Sequence, residues 1–172
     1  MLGSRARSLL DAGQAAGCSG AQSDSVYKHV LIPTDGSELA ERAVAAGIAF
    51  AKSVNARLTV FTAVEEYRVP GQSEIMARHA QSIAQHAAEA EGKAEAILRP
   101  ARERAAAAGV ACETCHALSD RPYEAIIQAA DSHGCDLIFM ASHGRRGLRA
   151  LVYGSQAQGV LTHSTIPTLV YR

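Results

Sequence analysis

The chain has 172 residues (18.1 kDa), with 17 Lys+Arg against 17 Asp+Glu and a formal net charge of +0. That length holds one ordinary domain with a real core and is short for two. The balanced charge gives no general pull toward nucleic acid or acidic membranes, aromatics at 5% with no Trp offer no stacking platform for single strands, and no apolar run reaches the ~18 residues of a membrane span.

Residues 1–26 read differently from the rest, with Gly3, Gly13, Gly17 and Gly20 among Ser4, Ser8, Ser19, Ser23 and Ser25. Arg5 and Arg7 are similar to the positive start of a secretory signal, but Asp11 and Gln14 interrupt the apolar stretch that such a signal needs. Ala15-Ala16-Gly17-Cys18 looks like a lipoprotein cleavage box without that stretch before it. The expectation is a flexible tail over 1–26, or a start placed too early, followed by one domain over 27–172.

Val30-Leu31-Ile32, closed by Pro33, predicts a strand buried on both faces. Asp35-Gly36-Ser37 is a turn and helix-start signal, and Leu39, Ala43, Ala46 and Phe50 recur at helical spacing until Asn55. Arg57 to Val64 is rich in β-branched residues and predicts a second strand. After the loop at Val69-Pro70-Gly71-Gln72, Ser73 to Ala108 has high helix propensity; Gly92 weakens it, Pro100 is expected to kink or break it, and Gly109 stops it. Val110 to Leu118 predicts a third strand. Ser119 and Asp120 offer a cap, Pro122 suits a first turn, and Tyr123, Ile126, Ile127 and Ala130 mark a helix that Gly134 closes. Asp136 to Met140 predicts a fourth strand, Gly154-Ser155 opens a last helix through about His163, and Thr168 to Tyr171 forms a fifth strand.

Strands separated by helices imply an α/β fold: a parallel sheet between two helical layers. In such sheets ligands sit beyond the carboxyl ends of the strands, where the strand order reverses. Two loops there are chemically unusual, Pro33-Thr34-Asp35-Gly36 and Ala141 to Ser155. Gly144 and Gly147 let backbone come close to a ligand, and Gly154-Ser155 opens a helix whose unpaired N–H groups attract anions. Ser155 adds a hydroxyl, Arg145 and Arg146 add charge-assisted phosphate contacts, and Asp35 is an acceptor for a base amino group or a ribose hydroxyl. Together these residues suit a mononucleotide. They equally suit a plain turn and a helix cap, and spacing alone does not separate the two.

The segments HVLIPTDGSELAERAVAAGIAFA and DLIFMASHGRRGLRALVYGSQAQGVLTHSTIPTLVYR resemble the opening and closing motifs of universal stress proteins. ATP-binding members carry Gly, two residues, Gly, nine residues, then Gly and Ser or Thr; here Ala141 replaces the first glycine, and Gly144, Gly154 and Ser155 match. The resemblance covers roughly Tyr27 to Arg172. It implies a three-layer α/β/α sandwich with a five-stranded parallel sheet in the order 3-2-1-4-5, similar to the adenine-nucleotide alpha-hydrolase fold. It also implies an ATP site, with or without Mg2+. Pro33, Thr34 and Asp35 would flank the adenosine, and Ala63 would contact adenine by its backbone. Met140 and Ala141 would lie along base and ribose. Gly144, Arg145, Gly154, Ser155 and Gln156 would surround the phosphates, with Ser142 and His143 inside the same motif.

What the resemblance implies is a cytoplasmic stress-response or signalling module that pairs into a homodimer through its C-terminal strand, a natural sheet edge. Neither nucleic acid nor membrane is expected as a partner. Two other classes share the fold. One is a dimeric scaffold that binds no nucleotide, for which Ala141 speaks. The other is a slow ATPase, for which His143 or Asp35 would have to serve as the acid–base group. The chain has no GxxxxGK[ST] loop.

Cys112-Glu113-Thr114-Cys115-His116 spells the c-type haem pattern. In a strand, residues three apart point to opposite faces, so one thiol is expected inward and one outward, unable to share a haem or metal. The histidines, including His79 and His86 two helical turns apart, are expected at the surface rather than in a metal site.

Overall fold

In the computed structural model, which describes residues 25–65, 76–143 and 153–172, strands and helices alternate. The order is β1 (His29–Pro33), α1 (Glu38–Ser53), β2 (Arg57–Val64), α2 (Met76–Ala108), β3 (Cys112–Leu118), α3 (Pro122–Ser132), β4 (Leu137–Ala141), α4 (Ser155–His163) and β5 (Thr168–Tyr171). The sheet is parallel in the order β3-β2-β1-β4-β5, so the strand order reverses between β1 and β4. Residues 1–24, most of the segment expected to be a tail, lie outside the described residues.

Strand alternation divides the core in two. Val30, Ile32, Leu58, Val60, Leu137 and Phe139 pack under α1 and α2. Leu31, Phe61, Ile138 and Met140 pack under α3 and α4. Every residue of β1 and β4 is buried, which explains why both read as unbroken apolar runs rather than alternating ones. Burying one such side chain stabilises the fold by about 1.5–3 kcal/mol.

Long-range packing overrules local signals at several places. Pro100 neither breaks nor ends α2, which runs through it. Ala94, Leu98, Ala101 and Ala105 on either side are at most 3% exposed against the sheet, and that burial outweighs the ~3 kcal/mol that an interior proline costs. The cap expected from Ser119 or Asp120 on α3 is also displaced. Arg121 takes the N-cap position without a side-chain cap bond, and Gln156 of α4 accepts from the Tyr123 N–H at 2.9 Å. β3 begins at Cys112 rather than Val110, and β4 is Leu137–Ala141 rather than Asp136–Met140. Asp136 instead ties two strands together, accepting from the main-chain N–H groups of Lys28 at 2.8 Å and His29 at 3.0 Å.

The half-buried thiols of Cys112 and Cys115 correct the inward–outward expectation. The sheet is covered on both faces, so Cys112 packs on the α1–α2 core and Cys115 on the α3–α4 core. Burial pushes both thiols above their usual range and Cys135 up to about 11, which leaves them protonated and poorly nucleophilic.

His29 is a further correction. It is 3% exposed, with Nε2 2.8 Å from Thr59 Oγ1, while its Nδ1 is buried with no partner. Burial first, and the nearby Arg57 charge second, lower its pKa from 6.5. A base with a depressed folded-state pKa stabilises the fold fully above pH 6.5, and that contribution falls away as pH drops below it, because the unfolded chain takes the proton first. His29→Gln, which keeps a donor for Thr59, is expected to flatten the fall in urea midpoint between pH 7 and pH 5. An unchanged slope would remove His29 from the acid sensitivity.

Candidate functional site

A cleft of about 930 Å³ opens at the carboxyl ends of β1, β2 and β4, beside the reversal of strand order. This volume lies within the range of small-molecule sites, roughly 300–1,000 Å³. A smaller groove of about 400 Å³ lies between α3 and α4.

The first wall is the turn from β1 to α1. The Thr34 N–H donates to Phe61 O at 2.8 Å, the last rung between β1 and β2. Thr34 Oγ1 accepts from the Gly36 N–H at 3.2 Å, and Asp35 Oδ1 accepts from the Ser37 N–H at 3.0 Å. Gly36 has φ +72°, a conformation that glycine takes without strain. Ser37 then caps α1, accepting from the Ala40 N–H at 3.3 Å. These bonds hold the Asp35 carboxylate at the cleft.

The second wall joins β4 to α4. The Ser142 N–H donates to Tyr171 O at 2.7 Å, and the Gly154 N–H donates to Ser142 O at 2.8 Å. His143 Nδ1 lies 3.1 Å from Ser142 Oγ. Gly154 is the N-cap of α4, and with no side chain it makes no cap bond, so the first-turn N–H groups have no side-chain acceptor from that position; Ser155, Gln156 and Ala157 of that turn border the cleft. A Cβ there would stand 3.2 Å from Ser142 O and 3.3 Å from His143 Cα. Glycine therefore lets the helix start press against the end of β4.

Ala141 sits in β4 at 8% exposure, packed with the α1–α2 core. Among the described non-glycine residues only Asn55 has a positive φ, so alanine at 141 carries no backbone strain.

The sequence-predicted residues Pro33, Thr34, Asp35, Ala63, Met140, Ala141, Ser142, His143, Gly154, Ser155 and Gln156 all border this one cleft. Gly144 and Arg145 lie outside the described residues, as do Arg146 and Gly147. Gln156 is already engaged, its carbonyl oxygen on the Tyr123 N–H and its amide nitrogen 3.4 Å from Ser155 Oγ. Sequence reasoning missed Glu65, Ser119, Pro122 and Ile126, and also Lys93 and Ile97 of α2. The first three follow strand ends and were accessible to the rule that ligands sit there. Lys93 and Ile97 carry no local signal, because only packing brings α2 to the cleft. No group of three or more His, Cys, Asp or Glu among the described residues could hold a metal ion. No described helix is long and apolar enough to cross a membrane.

Comparison with known proteins agrees with this architecture. The model of the universal stress protein family matches residues 26–172. The Universal stress protein in QAH/OAS sulfhydrylase 3'region of Thermus aquaticus is 34% identical over 151 residues, 86% of this chain and 100% of that one. The solved structure of hypothetical protein MJ0577 superposes with a TM-score of 0.66 at 26% identity, covering 84% of this chain and 94% of that one. A universal stress protein solved in complex with cAMP gives a TM-score of 0.62 at 26% identity, covering 85% of this chain and 97% of that one. This chain therefore belongs to the universal stress protein family.

Proposed function

We propose that the chain is a cytoplasmic stress-response or signalling module that binds an adenine nucleotide, ATP with its Mg2+, in the cleft between β1 and β4. The observation that carries this reading is the start of α4. A glycine N-cap pressed onto the end of β4 leaves main-chain N–H groups and the positive end of a helix dipole at the wall of a nucleotide-sized cleft. In this reading the phosphates lie over Gly154 and Ser155, with Ser142 and His143 beside them. Gln156 contributes its main-chain N–H, since its side chain caps α3. Gly144 and Arg145 are assigned to the phosphates from the motif alone.

The base lies between Met140, Ile126 and Ala63, an apolar setting. In a parallel ladder alternate residues bond to the same neighbour, and Phe61 bonds toward β1 through Thr34. Ala63 therefore turns its main-chain groups the same way, past the end of β1, which suits an adenine edge. Pro33 and Thr34 border the adenosine and Asp35 accepts from a ribose hydroxyl or the base. The relative solved with cAMP supports an adenine ligand. Alanine at 141 is compatible with this reading, since the backbone there does not need a glycine.

Calorimetric titration of ATP and Mg2+ into nucleotide-stripped protein, with GTP as control, tests the reading. Micromolar binding of ATP that GTP does not match is expected. No heat from ATP, with no nucleotide carried through purification, would overturn it.

The same proposal includes a homodimer through β5, an edge strand with Leu169 37% exposed. Sedimentation is expected to show a dimer that Leu169→Asp converts to monomer; a monomeric wild type would remove this part.

A further inference from the structure

We propose that Lys93, on the α2 wall of the cleft, contacts the phosphates of the bound nucleotide and makes the site prefer polyphosphates to the bare nucleoside. This rests on the nucleotide reading above and adds a residue that neither the loop motifs nor the strand ends indicate.

Helical geometry places it there. Ala94, Leu98, Ala101 and Ala105 bury one stripe of α2 against the sheet. Lys93, Ala96 and Ile97, spaced i, i+3 and i+4, form a neighbouring stripe, and all three border the cleft. Lys93 and Ala96 are exposed and Ile97 is half-buried, so a long, flexible ammonium side chain stands on the cleft wall beside an apolar one.

Charge gives the reason. Among the described residues that border the cleft, Lys93 is the only Lys or Arg, and it shares the wall with the carboxylates of Asp35 and Glu65. A nucleoside triphosphate brings several negative charges into this space. Neutral N–H groups of a helix start attract them, yet a compact ammonium with three donors is the stronger counter-charge. Lys93 is also uncommitted: it makes no hydrogen bond or ion pair among the described residues. Two other cations of the same helix are paired, Arg102 with Glu95 at 2.5 Å and Arg104 with Glu41 of α1.

The position is exposed, so Lys93→Gln and Lys93→Glu are expected to fold as the wild type does, checked by their urea midpoints. Titrating ATP, AMP and adenosine into all three proteins reads the effect. Lys93→Gln is expected to weaken ATP about three- to tenfold and Lys93→Glu by more than tenfold, with adenosine unchanged and the ATP penalty shrinking as salt rises. ATP binding unaffected in both variants would overturn the proposal and leave the nucleotide reading intact. Equal losses for ATP and adenosine would also overturn it, because the lysine would then act on the base side or through the fold. A wild type that binds neither ATP nor adenosine would overturn both readings together.

Discussion

Replacing Gly154 with valine is expected to weaken ATP binding by about 100-fold or more while leaving the fold and its oligomeric state intact. The backbone at 154 is extended, φ −67° and ψ 157°, so a side chain is tolerated conformationally. The obstacle is space. A Cβ would stand 3.2 Å from the Ser142 carbonyl oxygen and 3.3 Å from His143 Cα, and valine adds two methyl groups beyond it. Those neighbours are main chain at the end of β4, anchored by the bond from the Ser142 N–H to Tyr171 O. The start of α4 must therefore move, taking its N–H groups out of line with the phosphates. Two hydrogen bonds to charged oxygens, each contributing about 1.5–3 kcal/mol, amount to at least about 3 kcal/mol, which corresponds to the stated factor. Calorimetry of the variant beside the wild type, with circular dichroism for the fold, gives the answer. Retained affinity would mean that the phosphates lie elsewhere.

Phe61→Ala is expected to cost about 3–5 kcal/mol of stability. Phe61 is 2% exposed and belongs to the α3–α4 core together with Leu31 and with Ala125, Ile126 and Ala129 of α3. Phe61 also borders the cleft, and its carbonyl accepts the Thr34 N–H that ends β1. Removing the ring leaves a void beneath the site, and a domain with ~5–15 kcal/mol in total loses a large part of its margin. Phe61→Leu refills most of the volume and is expected to stay within about 1.5 kcal/mol of the wild type. Urea unfolding measures both. A loss below about 1 kcal/mol for the alanine variant would contradict the two-core description.

The elements most legible in the sequence are those whose signals are local. β2 and β5 were bounded by Asn55, with φ +54°, and by Pro167, and both strands match residue for residue. α4 begins at Ser155 after the Gly154 cap because a glycine and a serine mark that start without help from elsewhere. What escaped depends on packing between distant segments. Pro100 stays inside α2 because the sheet holds both halves of the helix. The cap of α3 comes from Gln156, 33 residues away. His29, polar and next to Lys28, gives no sign that it sits beneath the helical layer against Thr59. The same division holds at the cleft. The loop residues after β1 and β4 were visible from glycine spacing and strand ends, whereas Lys93 and Ile97 come to the site only because α2 leans on β2.

Amide chemical-shift mapping of the ¹⁵N-labelled protein during an ATP titration would locate an adenine nucleotide bound between β1 and β4. Saturable shifts are expected at Thr34, Asp35, Ala63, Ser142, Ser155 and Gln156, with the α3–α4 groove around Ile127 and Asp131 unmoved. Shifts confined to that groove, or none at saturating ATP, would mean that no nucleotide binds between β1 and β4.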